Sequence, residues 1–256
     1  MDKQKKIRLY DALIRCCTTL AFVLAIATLY FHVVSPALGR RQSGMAMLAA
    51  VTAYAQEASG LPQTEIDAHL LRAYLHNAEI ARQHAQLIHI TEGESLPSPL
   101  GFGEWAALPY DYTGILNIAG TMARLEIERI DVDLPVLHGT GPEAMMNGVG
   151  HLEGTAFPIG GYGTHPVLMT HSGKRTATLF SRLHELDYGD RFVIYVLDRR
   201  LVYEVDRITV IWPFEIDYLR VVPGADMVTL ITCTPIHINT HRLLVRGVRV
   251  ACDNGE

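Results

Sequence analysis

An all-β domain of about 140 residues, preceded by a membrane-spanning helix and a helical extension, is the fold class this sequence predicts. Three observations predict it. Cys16 to Val34 is an apolar run with no Asp, Glu, Lys or Arg. Between Thr64 and Ile90 apolar side chains recur every three or four residues. From Met122 onward the chain breaks into short apolar alternations separated by turn residues.

The first run is about 19 residues long, close to the ~20 a helix needs to cross a bilayer. Lys3, Lys5, Lys6, Arg8 and Arg15 precede it, against Arg40 and Arg41 after it. By the positive-inside rule residues 1–15 stay in the cytoplasm, 16–35 span the membrane and the rest faces outward. The competing reading is a signal peptide cleaved after Ala37-Leu38-Gly39, but the run exceeds the ~7–15 residues of such a core.

Residues 36–91 read as the helical extension, with helices over 43–58 and 64–90. In the second, Ile66, Leu70, Tyr74, Asn77, Ala81, His84 and Ile88 mark one mostly apolar stripe, a face suited to packing on the β domain. The tetrad Leu61-Pro62-Gln63-Thr64 opens it, since proline favours a helix's first turn. The Gly/Ser/Pro-rich stretch from Glu92 to Gly103 closes it, and 92–112 reads as a loop. Strands follow near Arg124–Ile127, Leu134–Leu137, Val167–Thr170, Phe192–Leu197, Leu201–Ile211, Val228–Thr232 and His241–Arg249. Many short strands of this kind indicate a barrel or sandwich over 113–252.

A formal charge of −5 and a pI near 6.2 give no reason to expect a nucleic-acid partner. The four cysteines lie in unlike settings: Cys16 and Cys17 in the apolar run, Cys233 at a strand end and Cys252 in a polar tail. That distribution argues against a disulfide framework.

Chemistry concentrates at strand ends. Thr229-Leu230-Ile231-Thr232-Cys233 delivers a thiol to the end of a β-type run, and Arg242 follows nine residues later in another. A thiolate is the reactive form of cysteine and a nearby cation favours it. If Thr234 to Thr240 is a hairpin loop, Arg242 lies opposite or diagonal to Cys233. Pro166 to His171 is a third apolar run, ending in an imidazole before Ser172-Gly173 turns the chain. Acyl transfer through a thioester needs a nucleophile, a proton donor and an oxyanion donor, and Cys233, His171 and Arg242 supply one each. His165, His237 and His241 read as structural or solvated, Arg246 and Arg249 as edge-strand solubilisers. The spacing Cys233-x3-His237-x3-His241 lines up on one face only in a helix, so no metal site is read there.

With these residues in place, the sequence resembles the sortases, most closely their class C, pilin-polymerising branch. The likeness rests on Leu134 to Gly139 (LPVLHG), Gly148 to Gly154 (GVGHLEG), Thr170-His171, Thr229 to Pro235 (TLITCTP) and Ile238 to Gly247 (INTHRLLVRG), in the family's order over about residues 113–250. It implies a sortase-type eight-stranded β-barrel with short helices. It implies Cys233 as nucleophile, His171 as acid/base, Arg242 as the cation at the substrate carbonyl and Thr232 as a supporting residue. The implied substrates are LPxTG-type surface or pilin proteins cleaved between Thr and Gly, with a pilin lysine as amine acceptor. No metal or organic cofactor is implied. A housekeeping role with a cell-wall precursor as acceptor is the alternative, and a non-catalytic pilus-assembly scaffold the rival from another class. Class C members carry Arg after the His, where this chain has Ser172. They also carry an Asp-Pro-aromatic lid, for which Ser98-Pro99-Leu100 is the nearest candidate.

Overall fold

The computed structural model describes residues 3–90, 112–174, 177–213, 215 and 217–250. Eight strands close into one barrel in the order β1-β2-β3-β4-β7-β8-β6-β5. They are β1 (Ala123–Ile127), β2 (Val132–His138), β3 (Val149–His151), β4 (Val167–Met169), β5 (Arg191–Val196), β6 (Arg199–Ile211), β7 (Met227–Thr234) and β8 (His241–Arg249). Side chains alternate in burial along β1 and β5, as period-two strands with one face inward require. Leu125, Ile127, Leu168, Phe192, Ile194, Tyr203, Leu230 and Val245 fill the interior.

Six of the eight strand pairings are antiparallel, but β2–β3 and β4–β7 pair in parallel and need crossovers. The β2–β3 crossover is α4 (Pro142–Asn147). Neither α4 nor β3 is legible in the sequence, since three residues are too few to show alternation and six too few to show a helical period. Closure also corrects one expectation. β8 lies between β7 and β6, so Arg246 and Arg249 are not on an edge. Arg246 reaches Asp206, which sits where the β6–β8 register shifts, and Arg249 lies over the Tyr203 ring at 5.6 Å.

The N-terminal part is one continuous helical rod rather than a membrane helix followed by a separate one. It comprises α1 (Lys3–Leu29), a π turn (Tyr30–Val34) and α2 (Ser35–Gly60). Pro36 and Gly39 do not break it. Pro36 occupies the first turn of α2, and the wide turn before it is closed by Ser35 N–H donating to the Tyr30 carbonyl. From Tyr10 to Gly60 the rod is long and apolar enough to cross a membrane, and its most apolar window is unburied, with Phe22 at 68% exposure.

The rod's C-terminal turns dock on the barrel. Tyr54 is buried, and its hydroxyl accepts from Leu197 N–H at 2.8 Å. Leu61 and Pro62 turn the chain into α3 (Gln63–Ile90), whose Glu65 and Ile66 N–H groups donate to the Pro62 carbonyl. Ile66, Leu70 and Ala73 enter the main core. One turn on, Asn77 exchanges two hydrogen bonds with the Phe157 backbone (2.7 and 3.1 Å), and His76 Nε2 meets the Thr155 carbonyl at 3.1 Å.

Beneath α3 the imidazole of His151 is fully buried. Its Nδ1 accepts from the Tyr112 hydroxyl at 2.5 Å and its Nε2 faces the Ala156 carbonyl at 2.8 Å. That pattern holds the neutral ring with its proton on Nε2. Burial pushes the His151 pKa down to about 3 and lowers that of His76 as well. Between those depressed values and the ordinary ~6.5, the unfolded chain binds protons that the folded chain refuses. Stability is therefore greatest above pH ~6.5 and falls on acidification, by up to about 1.4 kcal/mol per pH unit for each such ring. Calorimetry should show the melting temperature dropping from pH 7 to pH 5, with a flatter profile for His151→Gln. A His151→Gln profile as steep as the wild type would place the acid sensitivity elsewhere.

Candidate active site

Three neighbouring strands carry the candidate residues. β7 and β8 are antiparallel with Cys233 directly opposite Arg242, one of the two placements the spacing allowed. β4 and β7 are parallel, with Val167 opposite Thr229 and Met169 opposite Ile231. Extending that register by two residues sets His171 beside Cys233. Neighbouring strands lie about 4.8 Å apart, so the row His171, Cys233, Arg242 spans two strand spacings.

The same alternation fixes the face. Leu168, Leu230 and Val245 point into the barrel, whereas Val167, Ile231 and Leu244 belong to a second apolar cluster with Leu152, Ile211 and Leu219. His171 is in step with Val167, Cys233 with Ile231 and Arg242 with Leu244. All three therefore stand on the outer face, above an apolar floor. His171, Cys233 and Arg242 are each half-buried there.

Each group is held by its surroundings. Arg242 Nη1 donates to the carbonyls of Asn239 and His241 (3.2 and 3.1 Å), while its Nε is closed from solvent without a partner among the described residues. Burial lowers the pKa of His171, and the cationic Lys174 lowers it further. The His171 carbonyl accepts from Phe180 N–H at 3.2 Å. Thr232 is buried, and its hydroxyl donates to the Thr170 carbonyl at 2.9 Å, so it ties β7 to β4 next to the site.

Sequence reasoning missed Ser172 as a contact. Its hydroxyl donates to the Cys233 carbonyl at 2.6 Å. The signal was the position itself, a hydroxyl directly after the strand-end histidine. Ser98, Pro99 and Leu100 lie outside the described residues, as does Cys252. His165 is structural: buried, it meets the Arg220 carbonyl and the Thr229 hydroxyl at 2.8 and 2.7 Å. His237 is exposed, and His241 lies against the Trp212 ring with centroids 4.1 Å apart.

Comparison with known proteins identifies the family to which this barrel belongs. Residues 125–250 match the Sortase domain model. Sortase C1 of GBS Pilus Island 1 superposes with a TM-score of 0.70 at 36% identity, covering 82% of this chain and 95% of that one. The chain belongs to the sortase family. Sortase C-1 from Streptococcus pneumoniae is similarly related, at 38% identity and a TM-score of 0.63, covering 78% of this chain and 97% of that one. Sortase A of Bacillus anthracis is 28% identical over 129 residues, 49% of this sortase and 58% of that relative's length. Sortase-domain proteins of this kind are cysteine transpeptidases.

The electrostatics of this sortase's row lead to a test. Removing the Lys174 charge in Lys174→Gln should raise the His171 pKa, yet leave it below the ordinary imidazole value because burial persists. Histidine NMR titration of the two proteins measures it. An unchanged midpoint would mean that burial alone sets the value.

Proposed function

We propose that this sortase is a membrane-anchored transpeptidase that cleaves an LPxTG-type sorting signal and transfers the acyl group to an amine, a pilin lysine in the first instance. The observation that carries the reading is the single row of His171, Cys233 and Arg242 on one outer face. The relation to a pilus-island sortase supports the choice of acceptor. The unburied apolar rod supports membrane anchoring, and the excess of Lys and Arg before it supports a cytoplasmic N-terminus with the barrel outside the cell.

In the first half-reaction the Cys233 thiol passes its proton to His171, and the thiolate attacks the carbonyl carbon of the signal's Thr. The carbonyl π electrons move to oxygen, where Arg242 Nε finds the partner it otherwise lacks. His171 then gives its proton to the Gly nitrogen as the Thr–Gly bond breaks, leaving a thioester on Cys233 and a free amine. In the second, neutral His171 takes a proton from the incoming amine, which attacks the thioester carbonyl and expels the Cys233 thiolate. The lowered pKa of His171 makes it a readier donor to the departing amine and a neutral acceptor for the incoming one.

Mass spectrometry of the protein incubated with a panel of sorting peptides tests the reading. The wild type should gain the acyl mass of an LPxTG-type peptide on Cys233, and Cys233→Ala should gain none. His171→Ala should acylate about 10²- to 10⁴-fold more slowly and Arg242→Ala about 10²- to 10³-fold more slowly. Because the residues act as a unit, a double variant should lose far less than the product of the single losses. An acyl adduct on Cys233→Ala would end the nucleophile assignment. A second measurement addresses topology: protease added to wall-stripped cells should digest the barrel and spare residues 1–15.

A further inference from the structure

The β4–β7 ladder ends one residue short of its reactive pair. The last backbone bond runs from Thr170 N–H to the Ile231 carbonyl at 3.2 Å. Beyond it the two chains are joined by side-chain hydroxyls acting in opposite directions. Thr232 of β7 donates to the Thr170 carbonyl at 2.9 Å, and Ser172, after β4, donates to the Cys233 carbonyl at 2.6 Å. His171 and Cys233 lie between these two crossings.

The turn carrying Ser172 is itself fixed. Gly173 has a φ of +67°, and its N–H donates to the Ser181 hydroxyl at 3.0 Å. A Cβ at Gly173 would fall 2.6 Å from Ile236 Cγ2, so only glycine lets this turn lie against the β7–β8 loop. On the other side of Ser172, the His171 carbonyl is taken by Phe180 N–H. The Ser172 hydroxyl therefore leaves a backbone already pinned on both sides and grips the carbonyl of the cysteine.

We propose that Ser172 is a positioning residue for acyl transfer, its hydroxyl clamping the Cys233 carbonyl so that the thiol stays in register with His171. The inference rests on the assignment of Cys233 and His171 above. The ladder offers no backbone bond at this level, and a strand end frays unless something ties it. A misplacement of about 1 Å between reacting groups costs on the order of 10²-fold in rate, far more than one surface hydroxyl contributes to folding. The clamp should thus be visible in the chemistry rather than in the melting temperature.

Single-turnover acylation by a sorting peptide, followed by mass spectrometry, tests it in the full-length protein. Ser172→Thr keeps the donor, and Ser172→Val has nearly the same shape without it. Ser172→Val should acylate about 10- to 100-fold more slowly than the wild type, with a melting temperature within about 4 °C of it. Ser172→Thr should recover most of the rate. In a His171→Ala background the Val substitution should add little, because the pairing that the clamp serves has gone. Equal rates for the Thr and Val variants would overturn the proposal, as would a Val effect of full size without His171. The failure of the underlying assignment looks different: an acyl adduct that persists in Cys233→Ala would remove the nucleophile and the clamp's purpose with it.

Discussion

The register between β4 and β7 is the constraint on which the site depends. His171 and Cys233 lie on strands joined by no hairpin, and nothing in their local sequences brings them together. The pairing of Val167 with Thr229 and Met169 with Ile231 does so. A slip of one residue would turn His171 to the barrel interior, and a slip of two would move it about 6.6 Å along Cys233's strand. The register is held by burial on both faces. Leu168 and Leu230 point into the main core while Val167 and Ile231 enter the outer cluster, so either slip would expose or crowd apolar side chains on two sides at once. Barrel closure adds to this by leaving neither strand an edge at which to slide.

The helical extension is fastened by another means. Ile66, Leu70 and Ala73 of α3 bury apolar surface, but His76 and Asn77 fix which turn of the helix meets which loop, through hydrogen bonds to the Thr155 and Phe157 backbone. Buried polar partners of this kind specify position, since a helix shifted by one turn would leave Asn77 and the Phe157 N–H both unpaired. His151 and Tyr112 extend the same network under the β3–β4 loop, which ends at the start of β4. The extension and the reactive strand thus rest on shared polar contacts.

What the sequence disclosed follows from the length of each signal. β6, β7 and β8 are long and apolar enough to reveal themselves, and the seven residues separating Cys233 from His241 delimit the hairpin that sets Arg242 opposite the thiol. β3 and α4 are too short to carry a period. The rod from Lys3 to Gly60 has no single sequence signal, because apolarity marks only its middle and Pro36, which would break a helix interior, is tolerated in a first turn behind a π turn. The adjacency of His171 and Cys233 has no local signal at all, because the 61 positions between them include two further strands and the adjacency exists only in the closed barrel. Ser172 stood in the sequence as a departure from the family pattern, and its role lay in a hydroxyl–carbonyl contact that no residue spacing encodes.

The row also differs from a catalytic triad built around an acid. In a Ser-His-Asp arrangement a buried carboxylate stabilises the imidazolium. Here both influences on His171, burial and Lys174, favour the neutral ring. In the proposed mechanism a proton lent to a departing amine is therefore released readily and is not held by a partner charge. The side proposed to meet the oxyanion is arranged in the complementary way. Two backbone carbonyls anchor Arg242 Nη1, and Nε is left closed off with no acceptor among the described residues, a donor whose desolvation is incurred before a substrate arrives. An oxygen that becomes negative at that position gains an interaction the free enzyme lacks, and gains more as charge develops. On the proposed role of Arg242, the stabilisation falls on the transition state more than on the bound peptide, which is the condition for an interaction to raise the rate and not merely the affinity.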